Sequence, residues 1–338
     1  MKILYIGNKL SKHGFSVTNI ETLGDQLKDL GYEVYFASEY KNKCVRLIDM
    51  LFAVFRLRKK VKLVLIDVYS MQAFYFALFS AWMCRIAKVP YIPILHGGNL
   101  PARLKNNPVL SKSIFGHSKI NVAPSRYLQD AFEQEGFHVQ YIPNNIATST
   151  YPFKERTNFD PFLLWVRSFD TIYNPHMAID VVDGLSKKFP EVKLCMVGPD
   201  KDGSMKSCIE YAKRKGLQDN VLITGKLSKE KWHAISSEYD IFINTTHVDN
   251  TPVSVIEAMA LGLPVVSTNV GGIPFLIENE KDGVLVADGD AQGMENAIRR
   301  IIKENDTGSN IVVNGRKKAE SFDWEVVKEK WTELLDTV

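Results

Sequence analysis

Two α/β domains in tandem, each a parallel sheet wound on both faces by helices, are predicted by three observations. The 338-residue chain exceeds the size at which one hydrophobic core keeps growing. Short continuous apolar runs alternate with helical stretches along its whole length, the mark of strands buried on both faces. One segment near the middle, IPNNIATSTYPFKERTNFDP (142–161), is rich in Asn, Thr and Pro, lacks apolar periodicity and reads as a linker.

The first series opens with the strand KILYI and a loop, GNKLSKHGFS. A helix follows from Thr18-Asn19-Ile20-Glu21, which has capping-box spacing, to Gly31, suited to a left-handed stop. EVYFAS, KLVLIDV, YIPILHG, NVAPS and QYIPN are the next strand ends. The second series runs FLLWVRS, a helix near 175–188, KLCMVGP, a helix near 204–215, NVLITG, and a helix near 228–237. DIFINT, a helix bearing Glu257, PVVST and GVLVA complete it. The domains read as 1–150 and 151–315, with SFDWEVVKEKWTELLD, inside 316–338, as a terminal amphipathic helix. Ligands are expected in the crevice between facing strand edges.

A hydrophobic share of 45% and a charged share of 24% are ordinary for a globular protein. Four dispersed cysteines (44, 84, 195, 208) without a C-x-x-C speak against a disulfide framework or zinc site and for a reducing cytoplasm. The opening apolar run is too short for a signal peptide. Residues 71–87, MQAFYFALFSAWMCRIA, carry Gln72 and Arg85, fall short of a membrane span and read as a buried or half-buried helix.

Charge is unevenly divided. Residues 1–150 hold 19 Lys+Arg against 10 Asp+Glu, and residues 151–338 hold 23 against 29. The first half should therefore meet something anionic. Segment 41–62, KNKCVRLIDMLFAVFRLRKKVK, has eight basic residues, one acid and an apolar stripe, and suits an anionic membrane surface. The alternative is a helix packed on its own sheet with solvated lysines, and the two basic clusters bracketing the stripe favour membrane contact over it. No nucleic-acid recognition motif accompanies the charge.

The chemistry concentrates in 249–272, DNTPVSVIEAMALGLPVVSTNVGG. Glu257 is the only charge after Asp249, and a lone carboxylate among Val, Ile, Ala and Met needs a partner. Thr251-Pro252 reads as N-cap and first position of a helix, with the Val253 and Ser254 N–H groups aimed at the strand edge as an anion site. Asp249 and Glu257 flank that site as acceptors for hydroxyl groups, such as the ribose and sugar hydroxyls of a nucleotide sugar. Gly271-Gly272 lets a second loop approach closely. His96, at a strand end before Gly97-Gly98, and Arg167, straight after an apolar strand, are further candidates. Asp288-Gly289-Asp290 has the spelling of a metal motif, but Asp290 reads as the N-cap of the helix after it.

The stretch DNTPVSVIEAMALGLPVVSTNVGG resembles the acidic E-x7-E region of the family-4 retaining glycosyltransferases, of bacterial group 1 type. The likeness covers most of the chain, strongest from FLLWVRS to GVLVADGD. It implies a GT-B fold: two Rossmann-like domains with a central cleft, and a C-terminal helix packing back toward the first. It implies transfer of a hexosyl group from a nucleotide-diphosphate sugar to a glycan or polyprenyl-linked acceptor, without cofactor or metal. Surface polysaccharide or glycolipid synthesis is the expected role, and the cysteines together with segment 41–62 set it in the cytoplasm, peripheral to the inner face of the membrane. Carried over, Glu257 grips the ribose and Asp249 contacts the sugar. His96 stands near the anomeric centre and the 6-hydroxyl, and Arg167 on the diphosphate, with no covalent nucleophile. Gly14 matches the glycine-rich loop near the donor phosphate. Here Asp249 replaces a Glu, and Tyr173-Asn174 stand where a diphosphate lysine is expected. Lys201 and Lys226, both in strand-end loops, are the candidates to replace it. The same fold serves sugar-nucleotide epimerases, and a nucleotide-binding subunit without turnover is the other alternative.

Overall fold

The computed structural model describes residues 1–14 and 17–337. The chain divides into two compact units: Met1–Pro143 with Lys330–Val338, and Asn144–Glu329.

The first unit holds strands β1 (Lys2–Ile6), β2 (Glu33–Ala37), β3 (Leu63–Val68), β4 (Tyr91–Leu95), β5 (Asn121–Ala123) and β6 (Val139–Tyr141). Its helices are α1 (Asn19–Asp29), α2 (Lys43–Leu57), α3 (Ala73–Ala87), α4 (Leu100–Asn106), α5 (Pro108–Phe115) and α6 (Arg126–Gln134). The sheet order is β2-β1-β3-β4-β5-β6, with every pairing parallel. β3 and β4 are buried along their full length, as their unbroken apolar runs require. The capping box holds: the Thr18 N–H donates to Glu21 at 3.1 Å, and Gly31 takes φ +87° after the helix stops. The last residues of the loop after β1, Phe15 and Ser16, lie outside the described residues.

The second unit carries β7 (Phe162–Val166), β8 (Lys193–Val197), β9 (Val221–Gly225), β10 (Ile241–Asn244), β11 (Val265–Thr268) and β12 (Val284–Val286). Between them run α7 (Pro175–Ser186), α8 (Ser204–Arg214), α9 (Lys229–Ile235), α10 (Val253–Ala260) and α11 (Ile273–Leu276). α12 (Ala291–Lys303), α13 (Asn305–Glu320) and α14 (Trp324–Asp336) follow. Sheet order is β12-β11-β10-β7-β8-β9, again all parallel. The chain enters at β7, winds outward to β9, then returns to β10 on the other side of β7. The winding direction therefore reverses between β7 and β10, where loops on both sides diverge and leave room for a ligand. All twelve strands expected from the sequence are present, and two parallel six-stranded sheets make two Rossmann-like domains of GT-B type.

The segment read as a linker is not free chain. Ile146 pairs with Asp323, and the Asp323 carboxylate accepts from the Thr148 N–H at 2.8 Å. Arg156 is 2% exposed and its guanidinium donates to carbonyls of Ser236, Tyr239, Leu261 and Gly262 at 2.7–3.1 Å. Those bonds satisfy a buried cation without helix or strand periodicity, which is why the sequence pattern hides them. The unit boundary, between Pro143 and Asn144, falls inside 142–161, and the chain rejoins the first unit within α14.

All four cysteines are free thiols, Cys44 exposed and the others buried. Within 71–87 the helix is α3, Ala73–Ala87, half-buried through Phe74, Ala77, Ser80, Ala81 and Cys84. Among the described residues no helix is long and apolar enough to cross a membrane.

Candidate nucleotide-sugar site

β7 ends at Val166, so Arg167 is the first residue past the strand, and β10, its neighbour in the sheet, feeds the loop that carries Asp249. The two meet: the Arg167 guanidinium is ion-paired with Asp249 Oδ2 at the reversal point. Both side chains are 13% exposed. Asp249 Oδ1 accepts from the Asn250 N–H at 2.8 Å. The Tyr173 ring lies under Arg167, 4.1 Å from centroid to guanidinium carbon. Burial pulls the Arg167 pKa down from its ordinary value, and Tyr173 opposes that shift. Where a second cation was expected, the chain supplies a flat ring that orients the first.

The helix after that loop starts one residue later than the sequence predicts. α10 begins at Val253, and Pro252, with ψ 111°, is its N-cap: the Pro252 carbonyl accepts from the Val255 N–H at 3.1 Å. Thr251 is therefore not the cap, and no side chain caps the helix. A proline fixes φ near the helical value but leaves ψ free, so Pro252 serves the N-cap as readily as the first turn. The Val253 and Ser254 N–H groups still precede any intrahelical acceptor, and the buried Ser254 hydroxyl and Arg167 Nε have no partner. Unsatisfied buried donors of this kind await an acceptor.

Glu257, 4% exposed, sits on the second turn of α10. Its Oε1 accepts from the Tyr151 hydroxyl at 2.9 Å and from Lys229 Nζ at 2.7 Å. Tyr151 comes from the supposed linker and Lys229 from the first residue of α9. The His233 ring lies 4.6 Å from that of Tyr151, its buried Nε2 without a partner. Burial lowers the His233 pKa, and Glu257 pushes it back up.

Glycines lock the two loops together. A Cβ on Gly272 would stand 1.8 Å from the Asn250 carbonyl oxygen, and one on Gly271 would stand 2.3 Å from that of Asp249. The Gly272 N–H donates to the Asp249 carbonyl at 2.9 Å. Their bare backbone thus fixes the loop that aims Asp249.

In the first unit, His96 follows β4 and its Nε2 lies 2.8 Å from Oδ1 of Asp67, on β3. Facing a carboxylate, that nitrogen donates, which leaves Nδ1 for a ligand. The same oxygen accepts from the buried Tyr5 hydroxyl at 3.0 Å, and Oδ2 is buried without a partner. Burial and Asp67 both raise the Tyr5 pKa well above its usual value, so Tyr5 stays a donor. Tyr69 stacks on the imidazole at 5.3 Å.

The remaining candidates are dispersed. Gly14, at φ +83°, ends a short turn of 3-10 helix, with open space where a Cβ would stand. Lys201 is exposed after β8, and Lys226 is exposed directly after β9, two strands from Arg167. Asp290 caps α12 through the Gly293 N–H at 2.8 Å, while Asp288 bonds His247. Among the described residues no group of three or more His, Cys, Asp or Glu could hold a metal ion. Sequence reasoning missed Asp67, Tyr151, Lys229 and His233. Asp67 was findable by the argument applied to Glu257, since it is the lone charge in the apolar strand LVLIDV.

A doubly wound unit with an arginine, an acid and an uncapped helix end at its reversal point has the layout of an α/β ligand-binding domain whose crevice suits an anion. The family of glycosyl transferases group 1 matches residues 149–318, half of the chain, and the chain belongs to it. An uncharacterized glycosyltransferase of Methanocaldococcus jannaschii is 22% identical over 99% of both chains. The amylovoran biosynthesis glycosyltransferase AmsK of Erwinia amylovora is 32% identical over 36% of this chain and 31% of its own length. The first of the curated relatives are matched over only about a third of their length, 29–32%. Among solved structures, sucrose-phosphate synthase from Thermosynechococcus elongatus superposes with TM-score 0.82 at 18% identity, over 99% of this chain and 98% of that one. Anabaena HepE in complex with UDP-glucose gives TM-score 0.78 at 20% identity, with both chains fully covered.

Proposed function

We propose that the chain is a retaining, family-4 glycosyltransferase that moves a hexosyl group from a nucleoside-diphosphate sugar to a hydroxyl of a glycan or lipid-linked acceptor. The observation that supports it most is the Arg167–Asp249 pair beside the open end of α10, at the reversal point of the second sheet. Names of relatives favour the same reading. Two matches are a putative colanic acid and an amylovoran biosynthesis glycosyltransferase, and HepE was crystallised with UDP and with UDP-glucose.

In this reading the anomeric C–O bond of the donor breaks with its electron pair going to the diphosphate. Preorganised donors aimed at that growing charge are the most effective catalytic groups. Arg167, the Val253 and Ser254 N–H groups and the Ser254 hydroxyl are those donors. The acceptor oxygen bonds the anomeric carbon on the face the phosphate leaves, and its proton passes to the departing phosphate oxygen. No enzyme nucleophile and no metal takes part. Glu257 receives the ribose hydroxyls as Lys229, 62% exposed, swings away. Asp249 holds Arg167 and turns its remaining lone pairs to the sugar. His96, its ring fixed by Asp67 through Nε2, keeps Nδ1 for a sugar hydroxyl.

A thermal-shift screen of UDP-, GDP-, ADP- and dTDP-sugars, followed by donor turnover for wild type, Arg167→Ala and Glu257→Ala, tests this. One nucleotide class should stabilise the fold, by about 2.7 kcal/mol at a hundredfold excess over Kd. Both variants should lose turnover. Variants that bind and turn over like wild type would sink the site assignment, and donor conversion without acceptor would mean epimerisation.

A further inference from the structure

α2 and α3 pack against each other on one face of the first sheet, α2 over β1 and β2, α3 over β3 and β4. Each buries one side: α2 through Met50, Ala53, Val54 and Leu57, α3 through Phe74, Ala77, Ala81 and Cys84. The opposite sides are also apolar, which is the unusual feature. Ile48, Phe52 and Phe55 are 52–66% exposed on α2, at spacing i, i+4, i+7. Phe79, Trp82 and Ile86 are 41–56% exposed on α3, at spacing i, i+3, i+7. Both spacings put the three residues on one helix face. The stripe read in 41–62 is therefore two stripes, one inward and one outward, and α3 doubles the outward one.

Both helices return antiparallel to parallel strands, so they run in the same direction and their C-terminal ends lie together. Arg56 lies in the last turn of α2, with Arg58, Lys59 and Lys60 just after it, and Arg85 lies in the last turn of α3, with Lys88 just after it. Asp49 is the only acid in segments 41–62 and 71–88. The guanidinium carbon of Arg58 sits 3.9 Å over the Phe55 ring and that of Arg56 lies 5.7 Å from Phe52, so charge and apolar ring share one surface.

The geometry points to an anionic lipid bilayer as the partner of this α2–α3 face, with the aromatic stripe immersed at headgroup depth and the basic ends on lipid phosphates. Exposed Trp and Phe beside Arg and Lys is the composition that interfacial helices use. Each basic residue near an anionic surface strengthens binding about fivefold. A second copy of the chain suits the face poorly, because two such surfaces would bring like charges together. At 15 residues α3 spans about 22 Å, less than the hydrocarbon core, so the face lies on a bilayer and does not cross it. The basic ends lie at the strand edge opposite His96, which leaves the His96 edge uncovered. This inference rests on no part of the nucleotide-site reading, and its readout is lipid binding, so either can fail alone.

The test is co-sedimentation of the full chain with vesicles of phosphatidylcholine alone and with about a third phosphatidylglycerol. Arms are wild type, Phe52→Asp with Trp82→Asp, and Arg58→Glu with Lys59→Glu, each checked for an unchanged thermal midpoint. Wild type should bind the anionic vesicles and leave neutral ones at least tenfold more weakly bound. Each double variant should lose about tenfold or more. Equal binding to both vesicles, no binding, or binding untouched by either double variant overturns the proposal. So does a wild-type dimer in light scattering that Phe52→Asp with Trp82→Asp converts to monomer.

Discussion

Arg167 and Asp249 come from loops more than eighty residues apart in sequence, yet they form an ion pair where the winding of the second sheet reverses. The pair cancels its own charge, so in the proposed site an anion would be held by what the pair leaves over: the unpartnered Arg167 Nε, the Ser254 hydroxyl and the open end of α10. Arg167→Ala should therefore lower kcat/KM by about a hundredfold or more, the usual loss for a donor aimed at transition-state charge. Arg167→Lys should recover little, because an ammonium can neither stack flat on Tyr173 nor present a planar fork. Donor turnover by steady-state kinetics checks both; a loss below about threefold would remove Arg167 from the chemistry.

Tyr151→Phe removes one of two donors from Oε1 of a carboxylate that is 4% exposed. Stability should fall by about 1–3 kcal/mol, the cost of leaving a buried acceptor short. Lys229→Ala should cost under about 1 kcal/mol, since that partner is mostly solvent-exposed. Urea denaturation of the two variants side by side reads the difference; the reverse order would mean that Lys229 is the principal partner.

Asp67→Asn should leave the fold in place and lower kcat about tenfold or more, by freeing His96 to adopt the wrong tautomer or ring orientation. The pH profile of kcat should shift along with it. A variant with normal kcat and profile would make the Asp67–His96 bond merely structural.

His233 links stability to pH. Burial holds its folded pKa below the unfolded value of about 6.5, so the unfolded chain takes up the proton first as pH falls. Its contribution is fully present above about pH 6.5 and is lost on acidification toward the folded pKa. Urea midpoints of wild type should fall from pH 7.5 to pH 5.5 more steeply than those of His233→Asn; equal slopes would show that the ring titrates as in water.

Gly272→Ala has no backbone conformation to fight, but its Cβ would meet the Asn250 carbonyl at 1.8 Å. The loop carrying Asp249 must move. Activity should fall together with a thermal midpoint lower by several degrees, about 2 kcal/mol or more of stability. An unchanged midpoint would show that the two loops are not locked.

Much of this protein is written locally. Twelve apolar runs, the capping box at Thr18 and the cap at Asp290 follow from residue type and spacing, because strand burial and helix ends depend on near neighbours. The candidates Arg167, Asp249, Glu257 and His96 are legible for the same reason: each is a polar group where an apolar element stops or is interrupted. Partnership is not local. That Asp249 holds Arg167, that Glu257 is held by Tyr151 and Lys229, and that Asp67 orients His96 depends on sheet order, which brings β7 beside β10 and β3 beside β4. The linker deceived for the same reason: Arg156 and Tyr151 find their partners 80 to 106 residues away, and no periodicity records that. Residue chemistry determined which groups this chain would place at its strand ends; only the tertiary structure, by deciding which strand ends are neighbours, settled which of those groups meet.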